Sequence, residues 1–154
     1  MDGFDEACEV MKRQLGHDVV ISLATCVSDM PSVRTVNGYY RDGSIYVVTH
    51  MSTHKMREIA ENNNVAICRD LFSAHGTGRS IGNPRDAVNK AVADELRRIF
   101  VAFYNRHVDE TDPQTCILRV DLRDAVVFDE HSKYTVDFRA RTARIIPFKN
   151  DIVH

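Results

Sequence analysis

The chain has no tryptophan, only four prolines, four cysteines and seven glycines in 154 residues, and no large excess of either charge, with 20 lysines and arginines against 22 aspartates and glutamates. Each shortage excludes something. Cys8, Cys26, Cys68 and Cys116 are far apart and form no Cys-x-x-Cys pair, so a disulfide framework or a cysteine metal knuckle is not expected, and the four are read as buried, reduced, small hydrophobes. A formal net charge of −2 lacks the basic excess of an electrostatic nucleic-acid or membrane-surface binder. No apolar run approaches the roughly 20 residues that cross a bilayer, and the acidic start, Asp2, Asp5 and Glu6, is unlike a secretory or transit signal. The expectation is a soluble cytoplasmic protein whose partner is a small molecule or another protein, with no nucleic acid and no membrane. There is no Gly-x-Ser-x-Gly elbow to present a nucleophile.

What is present is globular in composition, 44% hydrophobic and 27% charged, and long enough for one domain, 1–154, with a core of its own. Phe4, Cys8, Met11 and Leu15 recur at helical spacing before Gly16, which predicts a helix over about 3–15 lying across the end of a barrel. Val19 to Val27 is β-branched, Ser28-Asp29-Met30-Pro31 reads as a turn, and a second strand follows over about 32–40. Asp42-Gly43 is a hairpin turn into a third strand, Ile45 to Val48. A short helix follows, with Ser52 or Thr53 as its cap and Asn62-Asn63-Asn64 as its stop.

Val65 to Arg69 is a strand, and Ala74 to Ile81 is a glycine-spaced one that bends. Pro84 then opens a long helix with the stripe Val88, Val92, Leu96, Ile99 and Phe103, read as core or dimer contact. Strands are expected at 115–121, 125–128, 134–138 and 142–148, with Arg139-Ala140-Arg141 as the last turn. Together these give a mostly β, α+β chain: an antiparallel barrel of about eight strands with about three helices.

Chemistry concentrates between Pro31 and Ile59. Arg34 lies on the second strand, Thr49 ends the third, and Ser52-x-x-Lys55 opens the short helix, whose N-terminus offers unpaired N–H groups and a positive dipole end. Hydroxyls and a lysine there suit a phosphate, with a guanidinium from the neighbouring strand. Spacing alone favours a plainer account: Ser52 or Thr53 a mere cap, Lys55 a solvated lysine, Arg34 an edge charge.

Other signals are weaker. Gly76-Thr77-Gly78-Arg79-Ser80-Ile81-Gly82 has its third glycine one residue late for a dinucleotide loop and feeds no helix directly, so a bent strand is preferred. His50 and His54 stand four apart, but no Glu-x-x-His pattern or cysteine pair completes a metal site, and no metal is expected. His75, a lone histidine in a strand, is read as structural, with a haem ligand as the less favoured alternative. Arg139, Arg141 and Arg144 read as a solvated face.

Leu23-Ala24-Thr25, Pro31-Ser32-Val33-Arg34-Thr35-Val36, Asp42 to Thr49, Ser52-Thr53-His54-Lys55 and Asn64-Val65-Ala66 follow one another in an order and spacing that resemble the pyridoxamine 5′-phosphate oxidase-like family over roughly residues 17–70. The resemblance implies an antiparallel split β-barrel whose two copies pair as a homodimer and enclose flavin mononucleotide (FMN) at their interface. It places the phosphate on Arg34 and Lys55 with help from Ser52. Thr35, Val36, Asn37, Val48 and Thr49 would line the ribityl chain and the ring, partly through backbone groups, and the partner chain would complete the pocket. The true oxidase carries a tryptophan and paired arginines near its C-terminus for its substrate. This chain has no tryptophan and ends Arg141-Thr142-Ala143-Arg144-Ile145-Ile146-Pro147 before its last residues, so it looks like a divergent member. The function implied is a flavin-dependent oxidoreductase acting on a small molecule; the alternative is a protein that binds or senses flavin, haem or deazaflavin without turnover.

Overall fold

The structure is a computed structural model and describes residues 1–148. Its elements are α1 (Gly3–Leu15), β1 (Val19–Val27), β2 (Met30–Arg41), β3 (Ser44–His50), α2 (His54–Glu61), β4 (Asn64–Arg69), β5 (Phe72–Ser80), a short 3₁₀ turn (Ala87–Asn89), α3 (Lys90–Ile99), α4 (Val101–His107), β6 (Thr115–Phe128), β7 (Ser132–Asp137) and β8 (Thr142–Pro147). All strand pairings are antiparallel. The sheet order is β3-β2-β1-β4-β5-β6-β7-β8, and β3 also pairs with β6, which closes six strands into a barrel and leaves β7 and β8 as an extension.

Local chemistry sets the corners. Ser28 and Asp29, and again Asp42 and Gly43, hold positive φ, as tight primed hairpin turns require, and Asn, Asp and Gly tolerate that backbone best. The first turn is therefore shorter than expected, and β2 starts at Met30. The barrel interior takes alternate residues: Val19, Ile21 and Leu23 from β1, Ile45 and Val47 from β3, Val65 and Ile67 from β4, and Leu118, Val120 and Leu122 from β6. α1 buries Phe4, Ala7, Val10, Met11 and Leu15 in the same core. Each fully buried aliphatic side chain contributes roughly 1.5–3 kcal/mol.

A second cluster lies outside the barrel. α3 and α4 cover the outer face of β2, β3 and β6 with Ala93, Leu96 and Phe100 against Tyr39, Val48 and Ile117.

Several expectations need correction. The long helix is interrupted: it begins as a 3₁₀ turn, and Phe100, with φ −97° and ψ 29°, separates α3 from α4. Burial follows Asn89, Ala93, Leu96 and Phe100, while Val88 is 89% exposed. The expected stripe is thus rotated, because the Asn89 amide is drawn inward to donate to the Ile81 and Asn83 carbonyls. The segments 115–121 and 125–128 are one strand, β6. A register shift between His75 and Gly76 places Arg123 as an extra residue and lets the polar Arg123-Asp124 pair pass mid-strand. The Arg123 carbonyl instead accepts the Phe138 N–H at 3.0 Å. Of the cysteines, only Cys116 is buried; Cys8 and Cys26 are partly exposed and Cys68 is exposed, because Cys68 takes the outward position beside Ile67.

Candidate functional site

The barrel is open along one seam. β2 pairs with β1 from Met30 to Gly38, then changes partner and pairs with β3 only over Tyr39–Arg41. β3 goes on to His50 paired with β6. Beyond Tyr39 and Tyr46 the strands β2 and β3 therefore diverge, and each presents an edge without a strand partner among the described residues. Edges of this kind carry backbone donors and acceptors that need a partner. Gly38 marks the changeover: a Cβ there would come within 2.8 Å of Ile21 Cδ1.

The divergence opens a cleft of about 300 Å³ lined by Thr35, Val36, Asn37, Val47, Val48, Thr49, His50, Thr53, Lys55, Phe103, His107, Val108 and Thr115. Six of the residues singled out in the sequence, Thr35, Val36, Asn37, Val48, Thr49 and Lys55, are brought together here. Ser52 lies beside the lining, between His50 and Thr53. Arg34 is not in the lining.

Lys55 stands at the start of α2, half-buried, and forms no ion pair among the described residues. Burial, and then the neighbouring Arg34 guanidinium, push its pKa down. A half-buried ammonium beside another cation, with no carboxylate paired to it among the described residues, carries a charge that an anion could answer. Neither candidate cap closes the helix end above it: α2 has no side-chain cap, because the Thr53 hydroxyl donates to the His50 carbonyl at 2.8 Å and Ser52 Oγ lies 2.6 Å from His50 Nδ1. Thr53 thus stands at the N-cap position without a side-chain cap bond, and Lys55 is half-buried, not fully solvated.

Arg34 is neither an edge charge nor free. Its guanidinium donates to Thr25 Oγ1 at 2.8 Å and to the Leu23 carbonyl at 3.3 Å, and pairs with Glu58 of α2 at 3.3 Å. The Thr25 hydroxyl, 2% exposed, in turn donates to Glu58 at 2.7 Å. This network ties β1, β2 and α2 together and half-neutralises the cationic end of the cleft.

The sequence reading missed Glu58 and Thr25, and it missed Phe103, His107, Val108 and Thr115 as cleft walls. Phe103 and His107 are four apart on α4 with ring centroids 5.2 Å apart, a spacing that could have been noticed. His75 sits on the outer sheet face with Nδ1 2.9 Å from Asp124, away from the cleft. Another hollow, about 490 Å³, lies between α1 and the β2–β3 turn. Of the basic groups on its wall, Arg41 pairs with Glu95 at 3.0 Å, Arg141 lies 4.7 Å over the Phe4 ring, and Lys12 is exposed to solvent.

No family model matches the chain, and no curated protein matches it in sequence. Solved structures do. An FAD-binding protein from Mesorhizobium loti superposes with a TM-score of 0.62 at 15% identity, over 77% of this chain and 91% of that one. A pyridoxamine 5′-phosphate oxidase-related, FMN-binding protein from Nostoc punctiforme gives 0.55 at 14% identity, over 94% and 95%. The chain has the pyridoxamine 5′-phosphate oxidase-like fold. A structure described as an F420 reductase shares this split barrel, with a TM-score of 0.56 at 17% identity over 74% and 94%. At these identities the likeness is one of fold, and the low values accord with a divergent sequence.

Proposed function

We propose that the chain binds FMN in the cleft between β2 and β3 and acts as a flavin-dependent oxidoreductase on a small molecule, as a homodimer in the cytoplasm. The observation that carries this reading is Lys55, half-buried and without an ion pair among the described residues, at the foot of a cleft whose two walls are strand edges with no strand partner among those residues. A flavin phosphate is close to a dianion, and each charge-assisted contact contributes roughly 1.5–3 kcal/mol. Lys55 and the uncapped start of α2 take the phosphate, helped by Ser52, and Arg34 contributes once it leaves Glu58. Backbone groups of Thr35–Asn37 and of Val48–Thr49 suit the ribityl chain and the ring edge. The names of the FAD-binding, FMN-binding and F420-reductase neighbours support a flavin-type cofactor on this barrel.

When bound, FMN supplies the electron and hydride chemistry. The chain's residues bind it, orient it and exclude water with Phe103 and Val108. The second subunit is supported by the uncovered outer face of β1 and β2 beside the cleft, where Val20 and Val33 are 52% and 69% exposed; a flavin at such a face needs a second wall.

Incubation with FMN followed by desalting tests the reading. The expected result is a retained yellow protein that runs as a dimer and whose flavin is reduced by a nicotinamide donor and reoxidised by an added acceptor. A retained flavin that no donor reduces points instead to the binding or sensing role. A colourless protein contradicts both.

A further inference from the structure

His50 ends β3 on the wall of the cleft and is held at both ring nitrogens. Nε2 is 2.9 Å from Asp112 Oδ2, and Nδ1 is 2.6 Å from Ser52 Oγ and 3.2 Å from the Ser52 backbone nitrogen. Asp112 comes from the loop before β6. Its carboxyl is held below the usual carboxylate range by the Gln114 N–H and by His50, so it is charged whenever the imidazole titrates. A charged carboxylate can only accept, and this fixes the proton of Nε2. With Nε2 protonated, Nδ1 is an acceptor: it takes the Ser52 backbone N–H at 3.2 Å and also faces the serine hydroxyl.

We infer that His50 is a positioning residue that sets, through its proton, whether Ser52 offers a donor or only lone pairs to an anion at the mouth of the cleft. In the neutral ring Nδ1 accepts, so the Ser52 O–H points back into the protein and the oxygen shows lone pairs outward, which repel a phosphate. In the imidazolium Nδ1 gives up the bond it accepts from the Ser52 backbone N–H and donates to the Ser52 oxygen, whose own proton is released to point at the ligand. One proton on His50 thus changes two things together: it adds a positive charge and turns a neighbouring hydroxyl from acceptor to donor. The inference rests on the reading of this cleft as a phosphate site.

Other charges bear on the same point. Lys55 at the start of α2 and His107 on α4 line the cleft with His50, His54 is the exposed first residue of α2, and Arg34 is turned to Glu58. Cys116, opposite Thr49 in the β3–β6 ladder, has its thiol pushed up by burial and stays uncharged. All of these groups are common to the wild type and the variants, so the comparison of variants removes their contribution.

The test measures FMN and riboflavin affinities by quenching of flavin fluorescence from pH 8 to pH 5.5, in the wild type, His50→Gln and Ser52→Ala. Dividing FMN by riboflavin removes the ring's contribution, and dividing wild type by variant removes the phosphate's own ionisation. The expected result is a wild-type advantage over His50→Gln that grows about tenfold as the pH falls, with a similar growth against Ser52→Ala. Ser52 is exposed, so its variant carries the test if His50→Gln does not fold. A purely structural role lowers affinity equally at every pH. A constant ratio, with FMN still preferred over riboflavin, therefore overturns the relay and leaves the phosphate site standing. Equal affinity of the wild type for FMN and riboflavin at every pH overturns the phosphate site and the relay with it.

Discussion

Two seams of one barrel differ in how they are closed. Between β5 and β6 the ladder runs from Ser73–Val126 to Ser80–Leu118, broken only by one bulge, and the side chains beneath it, Ala74, Val120 and Leu122, are buried. Between β2 and β3 the ladder ends at Tyr39–Tyr46. Past that point come threonine, asparagine, histidine and a lysine that forms no ion pair among the described residues. Where backbone hydrogen bonds are satisfied within the sheet, the sequence is spent on packing. Where they are not, polar and charged side chains collect, because open edges and a half-buried cation favour an external partner over a closed core.

The zipped seam should break most easily by crowding. A Cβ on Gly76 would stand 2.6 Å from Val120 Cγ1 and 2.8 Å from the Asp121 carbonyl, so Gly76→Val should cost about 3 kcal/mol in urea unfolding. A loss below about 1 kcal/mol would mean that the bulge gives way freely.

Next in size is Arg34→Ala at the open seam. It removes the bonds to Thr25, Leu23 and Glu58 and should destabilise by about 1–2 kcal/mol, while FMN affinity falls about tenfold or more. A loss of stability with no loss of affinity would leave Arg34 as a strut only.

Glu58→Gln sharpens the same point with the opposite sign. Removing the carboxylate that occupies Arg34 should strengthen FMN binding about threefold by making the cleft more positive, with a small loss of stability. Weaker binding would mean that Glu58 orients the guanidinium for the phosphate and does not compete with it.

The smallest effect is expected on the closed side, at Asp121. Burial raises its carboxyl pKa, but hydrogen bonds from Ser44 and Arg119 outweigh this and leave it depressed. A group with a depressed folded pKa stabilises above its unfolded value, near 3.9, and loses that contribution as the pH falls through the folded value. Asp121→Asn should therefore flatten stability against pH below about pH 4, by less than ~1 kcal/mol since the side chain is 46% exposed and screened.

The sequence made β1, the Asp42-Gly43 turn and α1 legible because each depends on neighbours in the chain: β-branching, a turn dipeptide, a helical stripe ending at Gly16. The order of motifs from Leu23 to Ala66 also brought Thr35, Val36, Asn37, Val48, Thr49 and Lys55 to one place. What escaped was whatever depends on distant residues. Nothing local to Arg34 announces that Glu58 will answer it across 24 positions, or that Asp112 will lock His50. The break at Phe100 and the unbroken β6 were hidden for the same reason. A buried aromatic inside a helical pattern and a bulge beneath Arg123-Asp124 are decided by what packs against them.

The central claim is that Lys55 holds the phosphate of a flavin in the open seam. Fluorescence titration of FMN into the folded protein and into Lys55→Ala tests it most directly. Saturable quenching in the first and about ten- to a hundredfold weaker affinity in the second are expected, with riboflavin binding both equally. The same FMN affinity with and without the lysine would contradict the claim.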